Sequence, residues 1–148
     1  MPFTKVNNTM KKLLIILVCL PLIGFGQDLL TEDEIKDPVF NVVEVMPCFK
    51  GCTDKKCTTE EIFKHIAKNV IYPPKAKDYG ISGKVFVSFI VGKSGKIINV
   101  KVARGVHKLL DSEALRIIKL LPDFIPGKQR GEAVNVRYTV PINFQLDF

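Results

Sequence analysis

The feature that most constrains the fold is a pair of alternating apolar segments separated by a short, glycine-bounded stretch. The apolar positions are Val85, Val87, Phe89 and Val91 in the first segment and Ile98, Val100 and Val102 in the second. Between them lies Gly92-Lys93-Ser94-Gly95. Alternation with a period of two is typical of half-buried strands, and a short connection containing glycine is typical of an antiparallel hairpin. The sequence therefore predicts a β-hairpin over these residues.

A third alternating segment lies near the end of the chain. Its apolar positions are Val134, Val136, Tyr138, Val140, Ile142 and Phe144. The same segment contains Pro141, which has no amide hydrogen to donate to a neighbouring strand. We therefore expect this strand at the edge of the sheet or interrupted by a bulge, so that at least one sheet edge is exposed.

Two amphipathic helices are predicted beside these strands. Thr58 and Glu61 have the spacing of a capping box, which places the start of the first helix at Thr58. The apolar residues that follow at helical spacing are Ile62, Phe63, Ile66, Ala67, Val70 and Ile71. One more helical turn is expected from Lys75 to Tyr79. Asp111 is the predicted cap of the second helix.

The order of these elements predicts the fold class. A short β-type run from Val39 to Val45 comes first, and helix, hairpin, helix and strand follow. Chains with this mixed order pack helices against an antiparallel sheet. We expect an α+β domain with a small three-stranded antiparallel sheet and two helices packed on one face.

The first residues have the pattern of a secretory signal peptide. Lys11 and Lys12 precede an apolar run of 13 residues, Leu13 to Phe25. A membrane-spanning helix needs about 20 apolar residues, so cleavage after Gly26 is favoured over an uncleaved inner-membrane anchor. The predicted organisation is a signal peptide over 1–26, an acidic leader over 27–37 and one domain over 38–148. We expect a periplasmic protein, with a periplasm-facing inner-membrane protein as the alternative.

The charge does not indicate nucleic-acid binding. The chain has 22 Lys and Arg against 15 Asp and Glu, a net charge of +7. An exported chain rarely meets nucleic acid, and no basic cluster interleaved with aromatic residues is present. The excess of basic residues is therefore interpreted as a solvated basic face.

Three cysteines follow the predicted signal peptide. Cys52 and Cys57 would close a six-residue loop, a link that contributes about 2 kcal/mol on the chain-entropy model. Cys48–Cys52 is the competing pair. We expect the Cys52–Cys57 disulfide with Cys48 free. A zinc site that adds His65 to the three cysteines would have spacings unlike those of familiar zinc modules, so no metal is expected.

No arrangement of residues indicates catalysis. His65 and His107 are the only histidines, and neither is accompanied by a serine motif or a carboxylate pair placed to work with it. We expect a protein that is not an enzyme and that has no cofactor.

Several short stretches together resemble one family. They are Val43-Glu44-Val45-Met46-Pro47, Asn69-Val70-Ile71-Tyr72-Pro73, Gly83-Lys84-Val85-Phe86-Val87-Ser88-Phe89, Leu110-Asp111-Ser112-Glu113-Ala114-Leu115, Pro126-Gly127-Lys128-Gln129 and Tyr138-Thr139-Val140-Pro141-Ile142-Asn143-Phe144. In this order, from about Val39 to Leu146, the sequence resembles the TonB C-terminal domain in its short exported form. The family's fold agrees with the α+β class expected above.

The resemblance implies a binding role. TonB domains couple inner-membrane energy to outer-membrane transporters by binding a short transporter segment, the TonB box, as an extra strand. By position, the resemblance assigns the receiving edge to the last strand, at Asn135, Val136, Arg137, Tyr138, Thr139 and Val140. It also implies contacts from Tyr72, Pro73 and Lys75.

Three functions are open at this point. The first is a periplasmic module that binds a TonB box or another extended peptide and is linked to TonB-dependent transport. The second is a small energy transducer anchored in the inner membrane. The third is a structural domain that forms a homodimer by pairing its last strand with a second copy, because an exposed strand edge is a template for self-association.

Overall fold

The computed structural model describes residues 36–147. The predicted signal peptide over 1–26 and most of the predicted leader over 27–37 lie outside these residues. The elements are β1 (Val39–Phe40), α1 (Lys55–Asn69), α2 (Pro74–Asp78), β2 (Gly83–Val91), β3 (Ile97–Arg104), α3 (Lys108–Lys119), β4 (Gly127–Gln129) and β5 (Glu132–Phe144). No helix within residues 36–147 has the length and apolar character needed to cross a membrane.

The predicted α+β class is confirmed, with two more strands than expected. The strand order is β1-β5-β2-β3, and β4 pairs with β5 as well. The predicted hairpin is formed by β2 and β3, which pair antiparallel from Val91↔Ile97 to Phe86↔Arg104. The last strand, β5, pairs antiparallel with β2 from Gly83↔Phe144 to Val91↔Val136. The two additional strands, β1 and β4, are only two and three residues long.

One apolar core joins the sheet to the helices. It contains the alternating residues of β2 and β5, together with Ile62 and Ile66 of α1 and with Leu110, Ala114, Ile117 and Ile118 of α3. Phe89 and Phe144 are among the largest side chains that are fully buried. Because α1 and α3 enter the same core as the buried face of β2 and β5, both helices pack on that face.

The first helix begins earlier than predicted. It starts at Lys55, and its N-cap is Asp54, whose Oδ1 accepts a hydrogen bond from the Cys57 amide at 2.7 Å. Thr58 is fully buried instead of capping, and its Oγ1 donates to the Asp54 carbonyl. The Asp54 side chain reaches the free amides of the first turn, so the Thr58–Glu61 capping box is wrong.

The predicted cap of the second long helix is also wrong. The N-cap of α3 is His107, whose Nδ1 accepts a hydrogen bond from the Leu109 amide at 3.2 Å. Asp111 lies in the first turn, and its Oδ1 accepts from the amide of Val106 in the preceding loop at 3.0 Å. By contrast, the short helical turn expected from Lys75 to Tyr79 is confirmed as α2.

The predicted β-type run from Val39 to Val45 forms a shorter strand than expected. Only Val39 and Phe40 form a strand, which pairs parallel with Asn135 and Val136. The chain then turns, because Val43 is buried in the core and Val45 pairs with Lys128 of β4. An alternating sequence shows which residues favour a strand, but tertiary partners decide how far the strand extends.

Glu113 links α3 to the end of α1. Its Oε1 accepts hydrogen bonds from the Ile71 amide at 2.8 Å and from Arg116 Nη2 at 2.6 Å. Arg116 Nη2 also donates to the Asn69 carbonyl, the last residue of α1. Burial opposes ionisation of Glu113, but the bonds from Arg116 and from the Ile71 amide outweigh it and hold the pKa of the carboxyl below its ordinary value.

This link predicts a pH-dependent stability. Glu113→Gln is expected to lower the free energy of unfolding by about 1 kcal/mol at neutral pH, since the exposed Arg116 is screened by solvent. Because the pKa of Glu113 is lower in the folded state, the stability lost on substitution is greatest above the ordinary Glu pKa. This loss disappears as the pH falls through the lowered pKa. Urea denaturation at pH 7 and pH 3 measures it. The control is Glu61→Gln, which breaks an exposed pair of the same spacing with Lys64 and should change stability little at either pH. An equal loss at both pH values would contradict an ionic role for Glu113.

Candidate functional site

The long strand β5 is paired on one side over most of its length, and on the other side only residues of its first half are paired within the described residues. On one side β2 pairs with it from Val136 to Phe144. On the side opposite β2, β1 pairs with Asn135 and Val136. Within residues 36–147, no strand pairs with β5 on that side beyond Val136. We call the residues Arg137–Asn143 on this side the open edge.

Pro141 shows which backbone groups the open edge presents. The ladder between β2 and β5 runs without a register shift through Phe86↔Pro141. Proline has no amide hydrogen, so an unbroken ladder requires its nitrogen to point away from β2. Because backbone groups alternate along a strand, the amides of Arg137, Thr139 and Asn143 point outward as well. The open edge therefore presents three amide donors, and the carbonyls of these residues and of Pro141 as acceptors.

The intervening side chains of β5 hold the strand in place. Tyr138, Val140 and Ile142 are buried in the core, whereas Arg137, Thr139 and Asn143 are exposed. The Tyr138 ring stacks on Phe89, with 5.7 Å between ring centroids, and its hydroxyl donates to the Pro47 carbonyl at 2.9 Å. Burial, with a smaller effect of Cys48, raises the pKa of Tyr138 to about 12, so its hydroxyl remains a donor.

Two adjoining clefts separate the open edge from α1. The first has a volume of about 270 Å³ and lies along Arg137–Pro141, and the second has a volume of about 450 Å³ and lies along Pro141–Asn143. Phe63 and Pro141 line both. The residues of α1 that line one or the other are Lys55, Thr59, Ile62, Phe63, Ile66 and Ala67, and Val70, the C-cap of α1, lines the second. The helix therefore provides a mostly apolar wall beside an unpaired strand edge.

The α1 wall was missed by sequence reasoning. Its apolar positions were predicted from their helical spacing, but no second apolar surface was predicted from them. In the structure Ile62 and Ile66 are buried, whereas Phe63 is 45% exposed and Val70 is 37% exposed. The apolar stripe is thus wider than the core requires, and this width is the signal that could have identified a second apolar surface.

The clefts are basic. Lys55 and Arg137 line the first cleft and Lys84 lines the second, and no Asp or Glu of the described residues lines either one. Positive charge without a neighbouring carboxylate favours acidic or neutral partners over basic ones.

The structure places only some of the residues predicted to bind a partner along the open edge. Arg137, Tyr138, Thr139 and Val140 lie along the open edge. Asn135 and Val136 are paired with β1, and Asn135 is buried, with its Oδ1 accepting a hydrogen bond from the Lys93 amide at 3.2 Å. The open edge therefore starts two residues later than the predicted site, and it extends beyond Val140 to Asn143.

The second predicted group lies apart from the two clefts. Tyr72, Pro73 and Lys75 line neither of them. The Tyr72 hydroxyl donates to the Ile81 carbonyl, and its ring packs edge-on against Phe144 at a centroid distance of 5.8 Å. These contacts give Tyr72 a packing role at the end of β5.

The other outer strand of the sheet, β3, is a poorer edge for pairing. Its register with β2 shifts between Phe86 and Val87 and again between Ser88 and Ile90. Asn99 has a φ of 51°, and Arg104 is exposed at the end of the strand. Bulges and charged side chains are features that discourage strand addition. Within the described residues, the regular unpaired edge is therefore that of β5.

The expected disulfide is present beside the start of α1. Cys52 and Cys57 are bonded, with their Cα atoms 5.5 Å apart, and Cys48 is free. The bond fixes the first turn of α1 to the preceding loop. His65 Nε2 lies 3.2 Å from the Ile117 carbonyl oxygen. In the described part of the chain, no three His, Cys, Asp or Glu side chains are grouped so that they could hold a metal ion.

A larger cleft, of about 570 Å³, lies beside the disulfide. Its charged lining is mixed, with Lys50, Lys64 and Lys68 facing Glu61 and Asp123. Glu61 is already paired with Lys64 at 2.6 Å. No strand edge borders it, so its size does not make it the better candidate.

An unpaired strand edge beside an apolar helix is a geometry to which an extended peptide can add as a strand. The family described as Gram-negative bacterial TonB protein C-terminal matches residues 68–146, more than half of the chain. The chain therefore belongs to the TonB C-terminal family.

A solved structure agrees with this assignment. The NMR solution structure of the Helicobacter pylori TonB C-terminal domain, residues 179–285, is 25% identical, with a TM-score of 0.51. The match covers 68% of this chain and 90% of that one. A shorter form of the same domain, residues 194–285, is 25% identical, with a TM-score of 0.43 and coverage of 64% and 100%. Comparison of the chain with curated proteins found no match.

Proposed function

We propose that this domain binds an extended segment of an outer-membrane transporter, its TonB box, by adding it as a strand to the open edge of β5. The observation that carries the proposal is that β5 continues beyond its contact with β1 through the seven residues of the open edge, Arg137–Asn143, and that no strand within residues 36–147 pairs with the outward side of this edge. Membership of the TonB C-terminal family supports the choice of partner.

Backbone pairing and apolar contact would both contribute to this binding. The outward amides of Arg137, Thr139 and Asn143 donate to the added strand, and the carbonyls of the edge accept from it. Each such bond contributes about 1 kcal/mol net. Side chains of the added strand that face α1 bury apolar surface against Phe63 and Val70, which are partly exposed in the free domain.

We also propose that the protein acts in the periplasm after removal of residues 1–26. The pattern of basic start, short apolar run and small residues supports this. The alternative is a transducer that keeps residues 1–26 as an inner-membrane anchor. Intact mass of the native protein from fractionated cells distinguishes the two. A mass that starts at Gln27 in the periplasmic fraction supports the cleaved module, and a full-length mass in the inner membrane contradicts it.

Calorimetric titration tests the binding itself. The probes are synthetic peptides that carry the TonB boxes of transporters from the source organism. Matched peptides with N-methyl groups on alternate backbone amides keep every side chain but lose the ladder donors. Strand addition predicts that the unmodified peptides bind and that methylation of one alternate set abolishes binding. Equal binding of methylated and unmodified peptides would contradict it.

The alternative to peptide binding at the open edge is self-association, in which the open edge pairs with a second copy of the chain. Sedimentation of the protein across a range of concentrations measures it in the same preparations. A monomer that binds the peptides supports the proposed function. A stable dimer that the peptides do not dissociate would instead assign the open edge to a second copy of the chain.

A further inference from the structure

We propose that β1 is a displaceable cap that limits how long a segment the open edge accepts. This inference rests on the proposed strand addition to β5. β1 lies on the same side of β5 as the open edge and occupies Asn135 and Val136, directly before Arg137. A bound segment can therefore pair from Arg137 onward beside β1, whereas a longer segment has to remove β1 to continue toward Asn135.

Phe40 of β1 packs against the core, but the other contacts of β1 with the domain are weak. β1 consists of two half-buried residues in a parallel pairing, which is slightly less stable per residue than an antiparallel one. The residues on both sides, 36–38 and 41–42, are exposed. Asp37 pairs with Lys93 at 2.9 Å, but both side chains are about half exposed, so this ion pair contributes little.

The chain that follows β1 is firmly held, so β1 can leave without unfolding the domain. Val43 is buried, and the Glu44 amide donates to Gln129 Oε1 at 3.0 Å. Val45 and Lys128 exchange two backbone hydrogen bonds of 3.0 and 2.8 Å. The link about which β1 would move away from β5 consists of Asn41 and Val42. Val42 is 80% exposed.

The strand beneath β1 also keeps its position when β1 leaves. Val136 stays paired with Val91 of β2, and the Asn135 side chain stays bonded to the Lys93 amide. The two residues uncovered by β1 are therefore a ready extension of the open edge. Long segments bind only the molecules in which β1 is released. Their measured affinity is therefore the intrinsic affinity multiplied by the fraction of such molecules.

Two peptides of alternating threonine and valine test the inference, one of four residues, which fits within the open edge, and one of nine, which also reaches Asn135 and Val136. The variant Val39→Gly with Phe40→Gly weakens β1, and Val106→Gly, an exposed valine in the loop before α3, is the control. The double variant is expected to bind the nine-residue peptide about fivefold more tightly than the wild type and the four-residue peptide equally. Val106→Gly should change neither affinity. An equal change for both peptides, or no change for the longer one, would overturn the inference.

Amide hydrogen exchange on the free protein separates this inference from the proposed function. A displaceable cap predicts that the amides of Val39 and Phe40 exchange much faster than those of Val136 and Tyr138 in β5. Equal protection of the two strands would overturn the cap, whatever the peptides do. If β1 exchanges fast but neither peptide binds the wild type or the double variant, strand addition fails, and the length limit fails with it.

Discussion

Replacing Thr139 with proline is expected to reduce peptide binding at least tenfold while leaving the domain folded. The Thr139 amide points away from β2, so the substitution removes no hydrogen bond of the existing sheet. It does remove the central donor of the open edge, and the proline ring occupies the space in which an added strand would lie. Loss of one bond with steric exclusion accounts for tenfold or more. Calorimetric titration with the TonB-box peptides measures the loss.

The matched control is Val140→Pro, one residue along the same strand. The Val140 amide points toward β2, and the side chain is buried, so this variant should unfold or lose several kcal/mol of stability. Circular dichroism and urea denaturation follow both variants. If Thr139→Pro unfolds as readily as Val140→Pro, the assignment of outward and inward backbone groups on β5 is wrong. A folded Thr139→Pro that binds as tightly as the wild type would contradict strand addition at this edge.

Replacing Gly95 with alanine is expected to cost about 3–4 kcal/mol of stability, much of what a domain of this size has. Gly95 has a φ of 85°, and its carbonyl accepts a hydrogen bond from the Phe124 amide at 2.8 Å. A Cβ at this position would lie 2.0 Å from the Phe124 carbonyl oxygen. The loop would have to move, and Phe124 would leave its contact with Phe49, at a centroid distance of 4.3 Å.

Gly131→Ala isolates the steric contribution. Gly131 has a similar φ of 78°, but nothing lies within 4 Å of a Cβ built there. Its replacement should cost only the conformational term, about 1 kcal/mol. Urea denaturation midpoints of the two variants measure the difference. Similar losses in both would show that the turn between β2 and β3 can move away from Phe124, and the packing described for this turn would be incorrect.

The parts of the fold that could be predicted from sequence are those fixed by local patterns. The alternation of β2, β3 and β5 spans many residues and identified all three strands. The helix starts were wrong by a few residues, because several polar side chains compete for the first-turn amides and tertiary packing selects among them. Asp54 and His107 cap the helices, while Thr58 is buried. Of the two short strands, β1 lies within the predicted run from Val39 to Val45, but its length depends on long-range partners, and β4 was not predicted.

The site was predictable only in part, for a related reason. The resemblance placed it on the last strand, and Pro141 indicated an unpaired side. Where the open edge begins depends on β1, which comes from the opposite end of the domain sequence and covers Asn135 and Val136. The α1 wall depends on which apolar side chains of α1 pack into the core and which stay exposed. Neither fact is encoded in the sequence of β5 itself.

The measurement that tests strand addition most directly is residue-resolved amide hydrogen exchange of β5 with and without a bound TonB-box peptide. The outward amides of Arg137, Thr139 and Asn143 should gain protection when the peptide binds. The inward amides of Tyr138, Val140 and Ile142, already bonded to β2, should change little. This alternation is the predicted result. Protection that appears along β3, or that does not alternate along β5, would contradict binding at the open edge.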